Sequence, residues 1–338
     1  MSAVKRFADL ASTKMTLGFI GLGQMGYPMA KNLRTKMPRS DNLIIFDINE
    51  DVMSRFVKES KEPHRSDVQA NTRYVEIASS VRDLAEKSNI IITCLPTVKI
   101  VQDTYAAITT KGTLSPLQQE RERLFIDCST IDPPSSRQIA RSIQDALASH
   151  YVDAPISGGA VGAQAGTLSF MYGIPVQSPE FINRVESVLQ LMGTKVWHMG
   201  GQGCGVSAKL ANNYILAINN IATSEALNMG REWGLDLRKL TELINSSTGH
   251  CWPMEVNNPV PGVVKNAPAS NGYEPGCPVS MINKDLGLAI AGATDSNIPL
   301  LLANTAREAY DAVDKDHRGR DFSIVYQWLQ NKVRDRPV

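Results

Sequence analysis

Leu17-Gly18-Phe19-Ile20-Gly21-Leu22-Gly23-Gln24-Met25-Gly26-Tyr27 runs from an apolar stretch straight into three spaced glycines. The first four residues read as a buried strand. Gly21, Gly23 and Gly26 fit the G-x-G-x-x-G spacing, at the mouth of a helix predicted over 27–37. The first glycine permits a tight turn, the second lets the backbone approach a pyrophosphate, and the third lets helix and strand pack closely. Amide N–H groups at the helix N-terminus then face the anion, so Leu22, Gln24 and Met25 join the three glycines as candidate cofactor-binding residues. A second strand ends at Asp47, where a carboxylate accepts hydrogen bonds from ribose hydroxyls and repels a 2′-phosphate. Ile48-Asn49-Glu50-Asp51 offer no arginine to hold such a phosphate, which favours NAD over NADP.

Outward from that turn, the first half alternates strand-like and helix-like runs. Residues 16–20, 42–46, 90–95, 124–128 and 151–156 are strand-like, and 80–87 and 135–149 join 27–37 as helices. Residues 168–172, 180–192 and 195–198 read as strand, helix and strand. Near-continuous apolar strands separated by helices predict an α/β fold, a Rossmann-type doubly wound and mostly parallel sheet covered on both faces. After Gly200-Gly201 the strand signals stop. Residues 206–233 read as one long helix, with further helical runs over 236–246, 281–294, 300–313 and 322–332. The chain thus divides into an N-terminal extension (1–15), a dinucleotide-binding domain (16–201) and an all-helical domain (202–338) joined by the long helix. Between 247 and 280 periodicity is weak, and six of the 18 prolines cluster there (Pro253, Pro259, Pro261, Pro268, Pro275, Pro278). A long irregular stretch inside a compact domain is usually functional; the bland alternative is a surface decoration.

The chain has 338 residues, 43% hydrophobic and 20% charged, which describes a core-forming polypeptide. A net charge of +1 leaves no basic excess to hold a nucleic acid or an anionic membrane. No apolar run approaches the ~18 residues that span a bilayer. Cys94, Cys128, Cys204, Cys251 and Cys277 stand singly, without C-x-x-C pairs or histidines at zinc spacing. A reducing compartment and no metal are expected. Met1–Met15 carries Lys5, Arg6 and Lys14 against Asp9, with Val4, Phe7 and Leu10 at every third position. It reads either as a mitochondrial presequence or as a frayed tail.

From Cys204 to Ser224 the only charged residue is Lys209, and its neighbours are apolar nearly all round, which predicts a buried helix. A lysine there either reaches out past its neighbours or is desolvated. Desolvation draws an ammonium pKa toward neutrality, as a general acid/base requires. Asn213 lies four residues on, on the same face, where it can orient the lysine or a substrate hydroxyl. A third constellation, Asp153-Ala154-Pro155-Ile156-Ser157-Gly158-Gly159, ends a strand. Two glycines after a serine let successive N–H groups converge on an anion with the hydroxyl as a third donor, and a carboxylate fits such a nest. Each feature alone has a bland alternative: a lysine snorkelling at a helix end, and a plain Ser-Gly-Gly turn.

Taken in order, these pieces resemble the β-hydroxyacid dehydrogenase family from about residue 16 to about residue 330. Phe19 to Leu33 (FIGLGQMGYPMAKNL) is similar to its N-terminal signature, and Asp153 to Gly173 (DAPISGGAVGAQAGTLSFMYG) to its substrate-binding segment. Gly203 to Asn213 (GCGVSAKLANN) is similar to its catalytic helix. Residues 245–252, 258–263 and 284–289 resemble a long loop and a later helix of members that act on a branched β-hydroxy acid. The resemblance implies hydride transfer between NAD and a small β-hydroxy acid, with Lys209 and Asn213 catalytic. It implies Ser157, Gly158, Gly159, Asn212 and Trp252 on the substrate, and Leu95, Pro96, Thr130 and Lys284 on the cofactor. It also implies a homodimer or homotetramer built through the helical domain, and a mitochondrial matrix location, with the cytoplasm as the alternative. Two positions depart from the family: Ile100 replaces a frequent asparagine, and Cys277, a smaller side chain, replaces a frequent phenylalanine by the substrate. Other members, acting on serine, 3-hydroxypropionate or tartronate semialdehyde, are the nearest alternatives. Imine reductases share a similar scaffold but usually carry aspartate or tyrosine at the lysine position. A non-catalytic homologue is expected to have lost the lysine or the glycine turn.

Overall fold

The computed structural model describes residues 14–61, 75–110, 122–175, 178–274 and 276–334; nearly all of the extension read as a possible presequence lies outside them. The chain forms two compact units, Met1–Lys209 and Leu210–Val338. The first holds β1 (Thr16–Ile20), α1 (Gly26–Lys36), β2 (Asn42–Phe46), α2 (Glu50–Lys61), β3 (Val75–Ile77), α3 (Val81–Lys87), β4 (Ile90–Thr93) and α4 (Val98–Thr109). It continues with β5 (Leu124–Asp127), α5 (Pro133–Leu147), β6 (His150–Asp153), β7 (Ile156–Ser157), α6 (Gly159–Ala165), β8 (Leu168–Gly173), α7 (Pro179–Leu189) and β9 (Gly193–Gly200). Then α8 (Cys204–Glu232) passes from the first unit into the second, followed by α9 (Leu237–Asn245), α10 (Trp252–Glu255), α11 (Val279–Asp295), α12 (Ala303–His317) and α13 (Val325–Arg334). The sequence break at Gly200-Gly201 precedes α8, whereas the units divide within it, because a continuous helix belongs to both.

The strands form one sheet in the order β3-β2-β1-β4-β5-β6-β8-β7, with β9 on β8. Pairing is parallel from β3 through β6 and between β8 and β9, and antiparallel where β8 meets β6 and β7. Strands β4 and β5 are buried at every position, as interior strands of a sheet with both faces covered must be. Successive residues point to opposite faces. Ile90 and Ile92 therefore pack with Met29 and Leu33 of α1, while Ile91 packs with Leu84 of α3 and Val101 of α4. The chain reverses direction across the sheet between β1 and β4, the position outside whose carboxyl ends open α/β sheets bind ligands.

Three expectations need correction. The strand predicted over 151–156 is two: β6 runs parallel to β5, and β7 pairs antiparallel with β8. Pro155 stands at the break, since proline has no N–H for a ladder. The stretch 247–280 is neither structureless nor a surface decoration. It holds α10 and a 3-10 turn over Pro268–Asn271, and it is tied down from inside. Buried Asn258 donates to Met254 O at 2.9 Å and accepts from Val260 N at 3.1 Å, and Tyr273 Oη donates to Pro259 O at 2.8 Å. Finally, α8 is not buried all round. Lys209, Leu210 and Ala217 lie inside, but Ile215 and Met229 are 60% and 48% exposed, with exposed Ala222 midway between them.

Candidate active site

The glycine turn can be tested position by position. A Cβ on Gly26 would strike Gly21 O, and one on Gly21 would strike Cys94 O and come 3.0 Å from Leu95 Cδ2. Close packing within the unit therefore accounts for both. A Cβ on Gly23 would meet nothing within 4 Å. Packing gives no reason for that glycine, whereas an anion lying on the turn gives one, and the residues fit a dinucleotide pyrophosphate. Asp47 is drawn to the same turn, for its Oδ2 accepts from Leu22 N at 2.6 Å and its Oδ1 from Asn49 N at 2.9 Å.

Beside the turn, the carboxyl ends of β4 and β5 carry Leu95, Pro96 and Thr130, and a largely buried network ties Leu95 to the end of β5. Leu95 N donates to Ser129 Oγ at 2.9 Å, and Ser129 N to Asp127 Oδ1 at 3.0 Å. Asp127 also accepts from Thr93 Oγ1 at 2.7 Å and Tyr151 Oη at 2.9 Å. Burial pushes the Asp127 carboxyl up, against these donors. The sequence reading missed Asp127; an acid at the end of an apolar strand was the available signal.

Ser157 closes β7, and Gly158 (φ 133°) and Gly159 (φ 62°) turn into α6. The left-handed backbone at both explains the glycines, and the outcome is a helix start, not a plain turn. Asn32, in the N-terminal signature, reaches across from α1, its Nδ2 donating to Ala163 O at 2.8 Å near the end of α6. The glycine turn and the Ser-Gly-Gly segment are thus joined through α1.

Lys209 is 8% exposed, one turn before Asn213, which is 5% exposed. In the helical unit Asn213 Nδ2 donates to Asp285 Oδ2 at 2.6 Å, and Asn212 Nδ2 donates to Asn213 Oδ1 at 3.0 Å. Lys284 pairs with Asp285 Oδ1 at 3.3 Å. Asn212, Asn213, Lys284 and Asp285 therefore form one cluster. Trp252, at the first position of α10, stands 48% exposed and outside it. Asp285 is 4% exposed and was not singled out as a site residue; nothing in the local sequence announces its partner. Among the described residues no group of His, Cys, Asp and Glu is placed to hold a metal ion, and no helix is long and apolar enough to cross a membrane.

Residues 16–201 match the family model described as the NAD binding domain of 6-phosphogluconate dehydrogenase. Residues 203–329 match the one described as NAD-binding of NADP-dependent 3-hydroxyisobutyrate dehydrogenase. The probable mitochondrial 3-hydroxyisobutyrate dehydrogenase of Dictyostelium discoideum is 38% identical over 332 residues, 98% of this chain and 95% of that one. The chain belongs to the β-hydroxyacid dehydrogenase family. The mitochondrial 3-hydroxyisobutyrate dehydrogenase of Mus musculus is likewise 38% identical, over 95% of this chain and 89% of its own. The solved structure of Mycobacterium tuberculosis 3-hydroxyisobutyrate dehydrogenase with L-serine aligns with a TM-score of 0.80 at 32% identity. That alignment covers 94% of this chain and 100% of the other. As a β-hydroxyacid dehydrogenase the chain is an oxidoreductase that uses a nicotinamide cofactor.

Proposed function

We propose that this β-hydroxyacid dehydrogenase oxidises 3-hydroxyisobutyrate to methylmalonate semialdehyde with NAD, a step of valine catabolism, and that Lys209 is its general acid/base. The observation that carries the reading is Lys209 itself: 8% exposed, and one turn before an asparagine whose amide is fixed on buried Asp285. The relatives named for this reaction, matched over nearly the whole chain, support the substrate. When bound, the nicotinamide accepts a hydride at C4 on oxidation and returns it on reduction. Lys209 Nζ, neutral, takes the hydroxyl proton as the carbinol hydrogen leaves as hydride, and in reverse gives that proton to the carbonyl oxygen. Ser157, Gly158 and Gly159 hold the carboxylate, so the gain is positional. Asn213, with Asn212, orients the hydroxyl, and Trp252 supplies an apolar wall for the methyl branch. Leu95, Pro96, Thr130 and Lys284 flank the nicotinamide, and Asp47 selects NAD.

Initial rates with 3-hydroxyisobutyrate, 3-hydroxypropionate, serine and glycerate, each with NAD and NADP, test the assignment. The highest kcat/KM is expected for 3-hydroxyisobutyrate with NAD; serine or glycerate ahead would move the chain to another member of the family. Lys209→Ala is expected to lower kcat by about 10²–10⁴-fold with little change in NAD binding. Two further proposals complete the reading. The apolar stripe of Ile215, Ala222 and Met229 on α8, seven residues apart, is covered by a second copy of the chain in a homodimer or homotetramer, which sedimentation of Ile215→Lys against wild type would check. Met1–Lys14 addresses the protein to the mitochondrial matrix; the names of the relatives support this, and a cytosolic signal from a reporter fused to those residues would count against it.

A further inference from the structure

Helix α8, 29 residues long, begins without a cap of its own: the residue before it is Gly203, which has no side chain to accept from the first turn. The acceptor comes from 50 residues earlier. Asp153 Oδ1 accepts from Gly203 N at 2.8 Å and from Gln202 Nε2 at 2.7 Å, and Oδ2 accepts from Val206 N at 2.9 Å. The carboxylate is 0% exposed, and two glycines make room for it. A Cβ on Gly173 would come 2.7 Å from Oδ1, and one on Gly205 would come 2.9 Å from Oδ2. An ordinary N-cap draws on the residue next to the helix; here a strand end does the same task across the fold.

The strand end is the one that leads to Ser157. Asp153 closes β6, and the short link that follows is pinned on both sides, Ala154 N donating to Asp127 O at 2.7 Å and Met171 N to Pro155 O at 3.1 Å. Lys209 lies three residues beyond Val206, within a turn of the capped end. One side chain thus ties the segment carrying Ser157-Gly158-Gly159 to the first turns of the helix carrying Lys209. We propose that Asp153 is a positioning residue for Lys209: by capping α8 from the end of β6, it fixes the separation between the proton-transferring Nζ and the carboxylate-binding turn. This rests on the roles given above to Lys209 and Ser157–Gly159. Reacting groups must be held to within roughly 0.5 Å, and a 1 Å displacement can cost about 10²-fold in rate.

Asp153→Asn keeps the shape but turns one acceptor into a donor facing N–H groups. It is expected to lower kcat by about 10–100-fold while NAD binding stays constant, and to speed amide exchange at Gly203 and Val206. The deciding measurement is a cycle with Lys209→Ala. If Asp153 acts through the lysine, Asp153→Asn costs little or nothing in the Lys209→Ala background. If both losses multiply, or if Asp153→Asn keeps normal kcat, the positioning role is wrong. Normal kcat in Lys209→Ala alone would instead remove the general-base reading, and this inference with it. Should Asp153→Asn not fold, Gln202→Ala serves in the same cycle, because it removes one donor from the carboxylate without removing its charge.

Discussion

In the α/β unit the six residues from Gly21 to Gly26 carry the proposed binding role in consecutive backbone, while in the helical unit Asn213 meets Asp285 across 72 positions of sequence. Buried strand-end acids and surface-paired acids also behave differently. Burial pushes Asp127 up and Asp153 up to about 7 in the first unit, where both act as acceptors for the surrounding chain. In the second unit, the amide of Asn283 and then the guanidinium of Arg307 hold half-exposed Asp311 below the usual carboxylate range. A sheet unit that needs fixed strand ends keeps acids dry and surrounded by N–H donors. The helical unit holds both kinds, Asp285 and Asp321 buried and Asp311 paired at its surface.

The largest effect follows from that contrast. A carboxyl raised to about 7 from an unfolded value of about 3.9 favours the protonated fold. Its contribution is complete below pH ~4 and is lost as pH rises through ~7, a span of order 4 kcal/mol. Relative to wild type, Asp153→Asn is therefore expected to gain stability between pH 4 and 8, measured by denaturant unfolding. Parallel curves would mean that Asp153 ionises at no cost to the fold. For Asp311 the sign reverses: its depressed pKa supports the fold above the unfolded value and that support is lost in acid. Wild type and Asp311→Asn should accordingly converge in stability as pH falls below about 4.

The glycine turn sharpens the comparison from the backbone side. Gly26→Ala puts a methyl against Gly21 O and is expected to cost about 1–3 kcal/mol or more of stability, together with NAD binding. Gly23→Ala meets nothing within 4 Å, so the melting temperature should hold while NAD affinity falls by about tenfold or more. Equal loss of stability in both would show that packing, not the ligand, selects Gly23. The pair also marks what could be read in advance. The turn, the acid at the end of β2 and the parallel strands were legible because each is a local pattern: spaced glycines, a charge closing an apolar run, and continuous apolar runs between helices. The order of β6, β7 and β8 was not, since apolar runs do not say which neighbour they pair with.

Asp285 lies at the far end of that scale. Buried and paired with Asn213 and Lys284, it depends wholly on how α8 and α11 meet, which no spacing in either helix encodes. Asp285→Ala leaves the buried amide of Asn213 without its acceptor, a loss of about 1–3 kcal/mol where felt in full. A fall in kcat of about tenfold is expected. An unchanged kcat would confine Asp285 to the fold of the helical unit and leave Asn213 oriented by other means.

The smallest effect concerns Asp47, and there the local pattern meets its limit. The carboxylate is anchored by Leu22 N and Asn49 N, so its place does not depend on a bound ribose. It is partly exposed, so the repulsion of a 2′-phosphate proposed for it would act through water and salt. Asp47→Asn keeps one acceptor oxygen and removes the charge. The ratio of kcat/KM for NAD over NADP is expected to narrow by less than about tenfold, in keeping with the modest strength of exposed charge pairs. Ionic strength separates charge from shape. If repulsion sets the preference, added salt narrows the ratio in wild type and leaves it nearly constant in Asp47→Asn. If the ratio ignores salt in both, hydrogen bonding to the ribose hydroxyls carries the choice, and the absence of an arginine after Asp47 matters more than the carboxylate's charge.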